Sequence, residues 1–458
     1  MAADSLLVRE GVADCGMDVM MPSDSRLAYM APFLVLTLTV ALCAASEAVA
    51  QPLWLLYQLA PFFVMLRTAS LLLRQQPHPE SSGTCSRHII ILPCYKEPIS
   101  IIQATLDQLS RHSGAQRTYI VVLAFEEREL ATAAGQAKLD KLMQEYGRRG
   151  EHFDLLLSSA HELTAHELPG KGSNVAGALR HVRAMAKLDT AACIVTVMDA
   201  DCLLEAEYVQ RATSRVLSSP EHTPVVTFPC MLFAPADVSP LVSGLDAAWQ
   251  WLFLFQAVRA WPVCSPVSMY SMRLDVWLRV GVDSTPLGIG EDLMTMLRAA
   301  TAANARSAFI PVPFTVRRCP TLWERLVQLD RHGHGSLCFA FALEQLYVRR
   351  SRAALWAFLC AAEVSISIGY SVYATLFMPF RFLNLYLLLA THAGFRLILF
   401  ILQPRRGDTR RAVLSLLLDL CLIPLCLTIY AATMCWTQLR QMARGERAVK
   451  YRPALKAD

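Results

Sequence analysis

Charge is what this sequence has little of. Asp, Glu, Lys and Arg make up 18 % of its 458 residues while hydrophobic residues reach 54 %, against about 25 % charged in ordinary globular chains. No Cys-x-x-Cys pair occurs among the 14 cysteines, and Cys43, Cys421, Cys426 and Cys435 stand inside apolar runs. That argues against a zinc or disulfide framework and fits a reducing cytosolic compartment for the central part of the chain. A Walker-A loop is missing too. In "LPGKGSN" (168–174) Ala165 stands where the first glycine belongs and Gly172 where Ser or Thr must follow Lys171. "HELTAH" (161–166) is no zincin motif, because His161 and His166 are five apart rather than four. There is no internal repeat and no low-complexity tract. The net charge of +5 is modest and implies no nucleic-acid partner.

The apolar excess lies at the two ends. "LAYMAPFLVLTLTVALCAAS" (27–46) carries no charge and is about the length that spans a bilayer core of ~30 Å. "PLWLLYQLAPFFVMLRTASLLL" (52–73) follows, with Trp54 and Tyr57 placed as interface anchors. Three more such segments occupy 353–376, 380–402 and 412–436. An integral, multi-pass membrane protein with a cytosolic central domain is expected. The acidic residues among 1–26 do not resemble a signal-peptide flank, so the first span is expected to stay as an anchor. Basic runs at 403–411 and 440–452 both read as cytosolic, lipid-facing charge. One span separates them, so the side of the tail (437–458) stays open.

Between the ends, roughly 86–320, strand-like runs alternate with amphipathic stretches. "HIIIL" (88–92), "TYIVVLAF" (118–125), "HFDLLL" (152–157), "CIVTVM" (193–198) and "VVTF" (225–228) are the strands, and 98–112, 128–147 and 173–187 the helices. Continuous apolar strands separated by helices predict a mainly parallel α/β sheet covered on both faces, with ligands bound beyond the carboxyl ends of its strands. "LVSGLDAAWQWLFLFQAVRAW" (241–261) is apolar enough to span. Asp246 and Arg259 oppose that, and Trp249, Trp251 and Phe253 suit a helix lying in the membrane interface. The stretch 321–350 reads as a second helix of that type.

Chemistry collects where strands end. In "VTVMDADCLL" (195–204) Asp199 and Asp201 can share a divalent cation, Mg²⁺ or Mn²⁺, whose other oxygens come from substrate phosphates; an aspartate turn capping a helix near Glu205 is the alternative. "LPCYKEP" (92–98) offers Pro93, Tyr95 and Glu97 with backbone N–H groups at a helix start. "AFEERE" (124–129) supplies Glu126 and Glu127, where a base or ribose could be held. Lys171 stands on a turn at a helix start, where a cation can meet a diphosphate. "GIGEDLMTMLRA" (288–299) puts Glu291 and Asp292 at a helix start, either as caps or as a general base. In "QLDRH" (328–332) Gln328 and Arg331 are three apart and can share a helix face toward a diphosphate or acceptor.

In this order the motifs resemble the membrane-embedded family 2 glycosyltransferases, which include cellulose, chitin and hyaluronan synthases and ceramide glucosyltransferases. The resemblance covers about 88–335 and the flanking spans. It implies a GT-A fold, a nucleotide-sugar donor, a divalent metal and inversion at the anomeric carbon; a UDP-sugar donor and a glycan or lipid acceptor are the expectation. It also implies roles: Lys171 and Asn174 match a Gly-Lys-x-x-Asn segment, Asp199 and Asp201 the Asp-x-Asp with Asp201 as metal ligand, Asp292 the catalytic base, and Gln328 and Arg331 the Gln-x-x-Arg-Trp motif. Two positions depart from it. "EERE" replaces the usual Asp-Asp-Gly, and His332 stands where processive synthases carry tryptophan. Polysaccharide synthesis is the expectation; a glycolipid synthase adding one sugar, or a non-catalytic membrane scaffold or transporter, are the alternatives.

Overall fold

Runs of Ile, Val and Leu form strands because β-branched side chains suit a pleated surface, and here they build the centre of an eight-stranded sheet. The computed structural model describes residues 25–54, 87–163, 170–184, 188–234, 238–258, 262–280, 290–332 and 336–377, with separate positions between 422 and 443. The strands are β1 (Arg87–Cys94), β2 (Tyr119–Glu126), β3 (Leu155–His161), β4 (Cys193–Met198), β5 (Cys202–Leu204), β6 (Val225–Phe233), β7 (Met269–Arg273) and β8 (Arg306–Val316). Their order across the sheet is β3-β2-β1-β4-β7-β6-β8-β5.

β3, β2, β1 and β4 run parallel, and their side chains divide by parity between two cores. Ile90, Leu92, Val121, Leu123 and Phe125 face one side; Ile89, Ile91, Ile120, Val122, Val195 and Val197 face the other. This is the doubly covered sheet that continuous apolar strands require. β7 lies antiparallel between β4 and β6, with Met198 opposite Met269. The start of β7 therefore meets the ends of β1, β2 and β4 at one edge, and that edge carries the site.

Several boundaries differ from the sequence expectation. "HFDLLL" is not itself the strand: residues 152–154 form the turn into β3, which continues to His161. The 128–147 stretch is two helices, Glu127–Leu130 and Ala133–Tyr146. The break is at Thr132, whose hydroxyl caps the second helix by accepting the Gly135 N–H at 3.0 Å. The 321–350 stretch is likewise two helices, Leu322–His332 and Ser336–Arg349. Helix Pro240–Val258 matches the 241–261 segment, but Trp249 does not point outward as an interface anchor. It is buried, with Phe233 tilted beside it at 6.1 Å.

Of the expected spans, helices Ser25–Ala45 and Arg352–Phe377 coincide with the first and third. The 380–402 segment, the 403–411 run and most of 52–73 lie outside the described residues. Among the described residues no helix is long and apolar enough to cross a membrane.

Candidate active site

The first strand exit is a turn shaped by its own carboxylate. Pro93 is buried within β1 opposite Ala124. Beyond it Lys96 adopts a left-handed φ of 60°, a conformation a side-chain-bearing residue keeps only when its surroundings hold it. Glu97 turns back so that its carboxylate accepts the Tyr95 N–H. The Arg128 guanidinium lies 4.9 Å from the Tyr95 ring centroid.

Burial pushes the Glu97 carboxyl up to about 8, against two backbone hydrogen bonds and with added repulsion from Asp201 and Glu129. A raised carboxyl favours the protonated folded state. Its contribution to stability is complete below about pH 4.5 and lost as pH rises through about 8. The melting temperature of the ligand-free protein is therefore expected to fall across that window. Glu97→Gln should flatten the fall, and a variant curve parallel to wild type would contradict the assignment.

At the second exit Glu126 closes β2 and is fully buried. One of its oxygens pairs with Arg128; the other, Oε1, has no partner among the described residues. A buried acceptor left unpaired is costly unless a ligand completes it. Glu127 differs: it opens a short helix and is exposed. The acid that turns inward is Glu129, buried and bonded to the Lys96 N–H at 2.9 Å.

At the fourth strand, Asp199 and Asp201 flank a tight turn in which the Cys202 N–H donates to the Asp199 carbonyl at 3.1 Å. One ligand atom each of Asp199, Asp201 and Cys202 falls within 4.8 Å of the others. Two carboxylates that close fit a hard divalent cation completed by phosphate oxygens; the thiol is the poorer ligand for Mg²⁺ or Mn²⁺. Thr105, on helix Ile99–Ser110, supports the turn from below: its hydroxyl lies 2.6 Å from the Ala200 carbonyl and 3.2 Å from that of Cys202.

Lys171 joins this turn to the "GED" helix. Its ammonium pairs with Asp199 at 2.9 Å and Glu291 at 2.6 Å, and donates to the Ser268 carbonyl at 3.2 Å. Burial opposes its charge, but Asp199, Glu291 and Asp292 outweigh it and hold the amine well above its usual range. Ser268, just before β7 and itself at φ 58°, donates its N–H to Asp292 at 3.0 Å. Asp292 also accepts the Leu293 N–H at 2.8 Å. Gly290, at φ 86°, makes the left-handed entry to helix Glu291–Ala303. Burial raises both carboxyls despite Lys171. Glu291 is buried against Lys171, whereas Asp292 is only half-buried and is the more accessible of the two. Asn174, one turn along from Lys171, donates to the Cys94 carbonyl at 3.4 Å and leaves a buried amide oxygen without a partner among the described residues.

Gln328 takes part in a different cluster. Its amide oxygen accepts from Arg325 and, at 3.4 Å, from the Cys319 thiol. Arg325 is completely buried, with Trp249 and Phe233 ring centroids 5.5 Å away on each, and it pairs with Asp246 at 3.0 Å. Arg318 shares Asp246 at 3.7 Å. The Arg331 backbone belongs to the same helix, Leu322–His332, but its side chain lies outside what is described. Asp330, between them, accepts from Arg440 at 2.7 and 2.8 Å.

Sequence reasoning missed Ser268, Thr105 and Glu129. Glu129 stands in the quoted "EERE" run, where only the helical turn after β2 decides which acid points inward. Nothing in the residue types marks Ser268.

A mainly parallel sheet that gathers an Asp-x-Asp turn, a lysine and an acidic helix start at one edge defines a GT-A-like glycosyltransferase fold. The family model described as "Glycosyl transferase family group 2" matches residues 194–434, and the chain belongs to that family: it is a glycosyltransferase. No curated protein matches it. Among solved structures it is similar to the mannosyltransferase PcManGT from Pyrobaculum calidifontis, in complex with GDP-Man and Mn²⁺. Identity is 16 %, over 87 % of this chain and 99 % of that one, with a TM-score of 0.46.

Proposed function

We propose that this chain is an inverting hexosyltransferase that moves a sugar from a UDP-sugar to a glycan acceptor at a membrane, in polysaccharide synthesis. The observation that carries the reading is Lys171, which bridges Asp199 and Glu291, 92 positions apart in the sequence. It makes the metal-type turn and the acidic helix start one site.

Asp201, with Asp199, would hold Mg²⁺ or Mn²⁺, and the ion would supply Lewis-acid neutralisation of the diphosphate. The chain's own residues do the rest. Glu126 offers its buried Oε1, without a partner among the described residues, to a hydroxyl or N–H of the nucleoside. Lys171, already charged, lies where negative charge builds on the leaving diphosphate. Asp292, held by two backbone N–H groups, takes the acceptor proton as the hydroxyl attacks the anomeric carbon from the face opposite the diphosphate. Gln328 and Arg331 are assigned to the acceptor or diphosphate from their motif alone.

The membrane reading is supported by the uncharged 27–46 segment and by Met30, Leu34, Leu38 and Leu42. These recur every fourth residue and are all exposed on helix Ser25–Ala45, an apolar stripe suited to lipid. Trp323, Trp436 and Leu439 are exposed as well. The Asp330–Arg440 pair favours a tail on the same side as the catalytic domain. An odd number of crossings between 353 and 436 would separate these two residues, so we take the crossings there to be even in number rather than three.

Product sizing after incubation with radiolabelled UDP-sugars in lipid vesicles tests the acceptor. A polymer ladder is expected; a single labelled lipid would replace polysaccharide synthesis by one-step glycolipid formation.

A further inference from the structure

We infer that Glu129 and Lys138 form a positioning clamp that sets the geometry of the donor-binding turn between β1 and helix Ile99–Ser110; this rests on the donor-site reading of that turn given above. Within the turn the Glu97 carboxylate holds the Tyr95 N–H, and the Lys96 peptide is held from outside. The turn contains Lys96 in the left-handed region, which costs about 1–3 kcal/mol and relaxes unless the surroundings over-determine it.

The restraint comes from the next strand exit. One oxygen of Glu129 accepts the Lys96 N–H at 2.9 Å and the other pairs with the Lys138 ammonium. That ammonium also donates to the Glu97 carbonyl at 3.0 Å. The two side chains thus grip the turn at both ends, by the peptide N–H entering Lys96 and the carbonyl leaving Glu97. Between these two grips lies the Glu97 carboxylate, folded back on the Tyr95 N–H.

The clamp is itself rigidly seated. Thr132 donates its hydroxyl to the Glu129 carbonyl at 2.8 Å and caps helix Ala133–Tyr146, which carries Lys138. At Gly135 an added Cβ would stand 2.0 Å from the Glu129 carbonyl oxygen, so this helix approaches Glu129 as closely as backbone allows. Glu129 is 7 % exposed. An ion pair this enclosed is commonly no more stabilising than a well-packed apolar pair, whereas only charged hydrogen-bonding groups can grip a turn by its N–H and C=O.

The test uses the full chain in detergent or vesicles, with Glu129→Ala, Lys138→Met, the double variant, and Glu129→Gln, which keeps an acceptor for the Lys96 N–H. Donor KM is expected to rise about tenfold in each of the first two, since small misplacements of a binding group carry effects of this order or larger, with kcat reduced less than about threefold. The double variant should be no worse than the singles, because they break one unit, and Glu129→Gln should recover most of the loss. A fall in kcat at unchanged KM, the mark of a smaller folded fraction, overturns the clamp.

Hydrogen exchange supplies a readout independent of turnover. Faster exchange of Glu129→Ala confined to 95–97 is expected, and exchange raised throughout the sheet, or unchanged at 95–97, overturns it. If wild type shows no transfer with any donor, the glycosyltransferase assignment of the site fails while the exchange result still decides the clamp.

Discussion

Asp292→Asn is expected to lower kcat by about 10²- to 10⁴-fold and leave donor KM within about twofold, the pattern of an interaction made only in the transition state. The substitution keeps the shape of the side chain and an oxygen for the Ser268 N–H, now 3.0 Å away, and removes the ability to take a proton. Glu291 is the natural competitor, one residue earlier. Its carboxylate is committed to Lys171 at 2.6 Å and buried, so Glu291→Gln should disturb Lys171 and donor binding rather than abolish chemistry. Rate constants for both variants at saturating donor separate the two. Normal turnover by Asp292→Asn would remove it from the role of base.

Asp201→Asn is expected to abolish the divalent-ion dependence of nucleoside diphosphate binding and to reduce turnover by roughly 10³-fold, in keeping with the several kcal/mol a Lewis acid contributes. Asp199 already has a cationic partner in Lys171, while Asp201 is the more buried of the two, beside the Cys202 thiol at 3.7 Å. Losing Asp199 should therefore cost less in ion affinity than losing Asp201. Titration of UDP binding with and without Mn²⁺ for wild type and both variants checks the ranking. Unchanged ion dependence in Asp201→Asn would contradict the metal assignment.

How much of this was legible in the sequence depends on what each element is made of. β1, β2 and β4 are buried on both faces, so they read as unbroken apolar runs, and the acids after them mark the strand ends. β7, "MYSMR", is short and carries Ser271 in the middle of the sheet, bonded to Thr196 at 2.7 Å; nothing in its pattern announces a strand. β8 contains Pro311 and Pro313, which argue against a strand, yet it pairs with β6 across a bulge at Phe228/Cys230. The site followed the same division. Asp199, Asp201, Lys171, Glu291 and Asp292 stand in recognisable motifs and come together. Ser268 and Thr105 act through backbone contacts, and residue type alone does not reveal these. Gln328 was legible as a motif residue and Arg325 engages it from the same helix, but the burial of Arg325 against Asp246 and Trp249 depends on how two helices pack.

The central claim is that the edge joined by Lys171 is a metal-dependent donor site. The most direct test is nucleoside diphosphate release by the purified full chain from a panel of nucleotide-sugars, with Mn²⁺, Mg²⁺ or chelator. The account predicts UDP release from at least one UDP-sugar, dependent on the ion and lost in Asp292→Asn. Release that persists unchanged in chelator, or none from any donor in lipid with Mn²⁺ present, would contradict it.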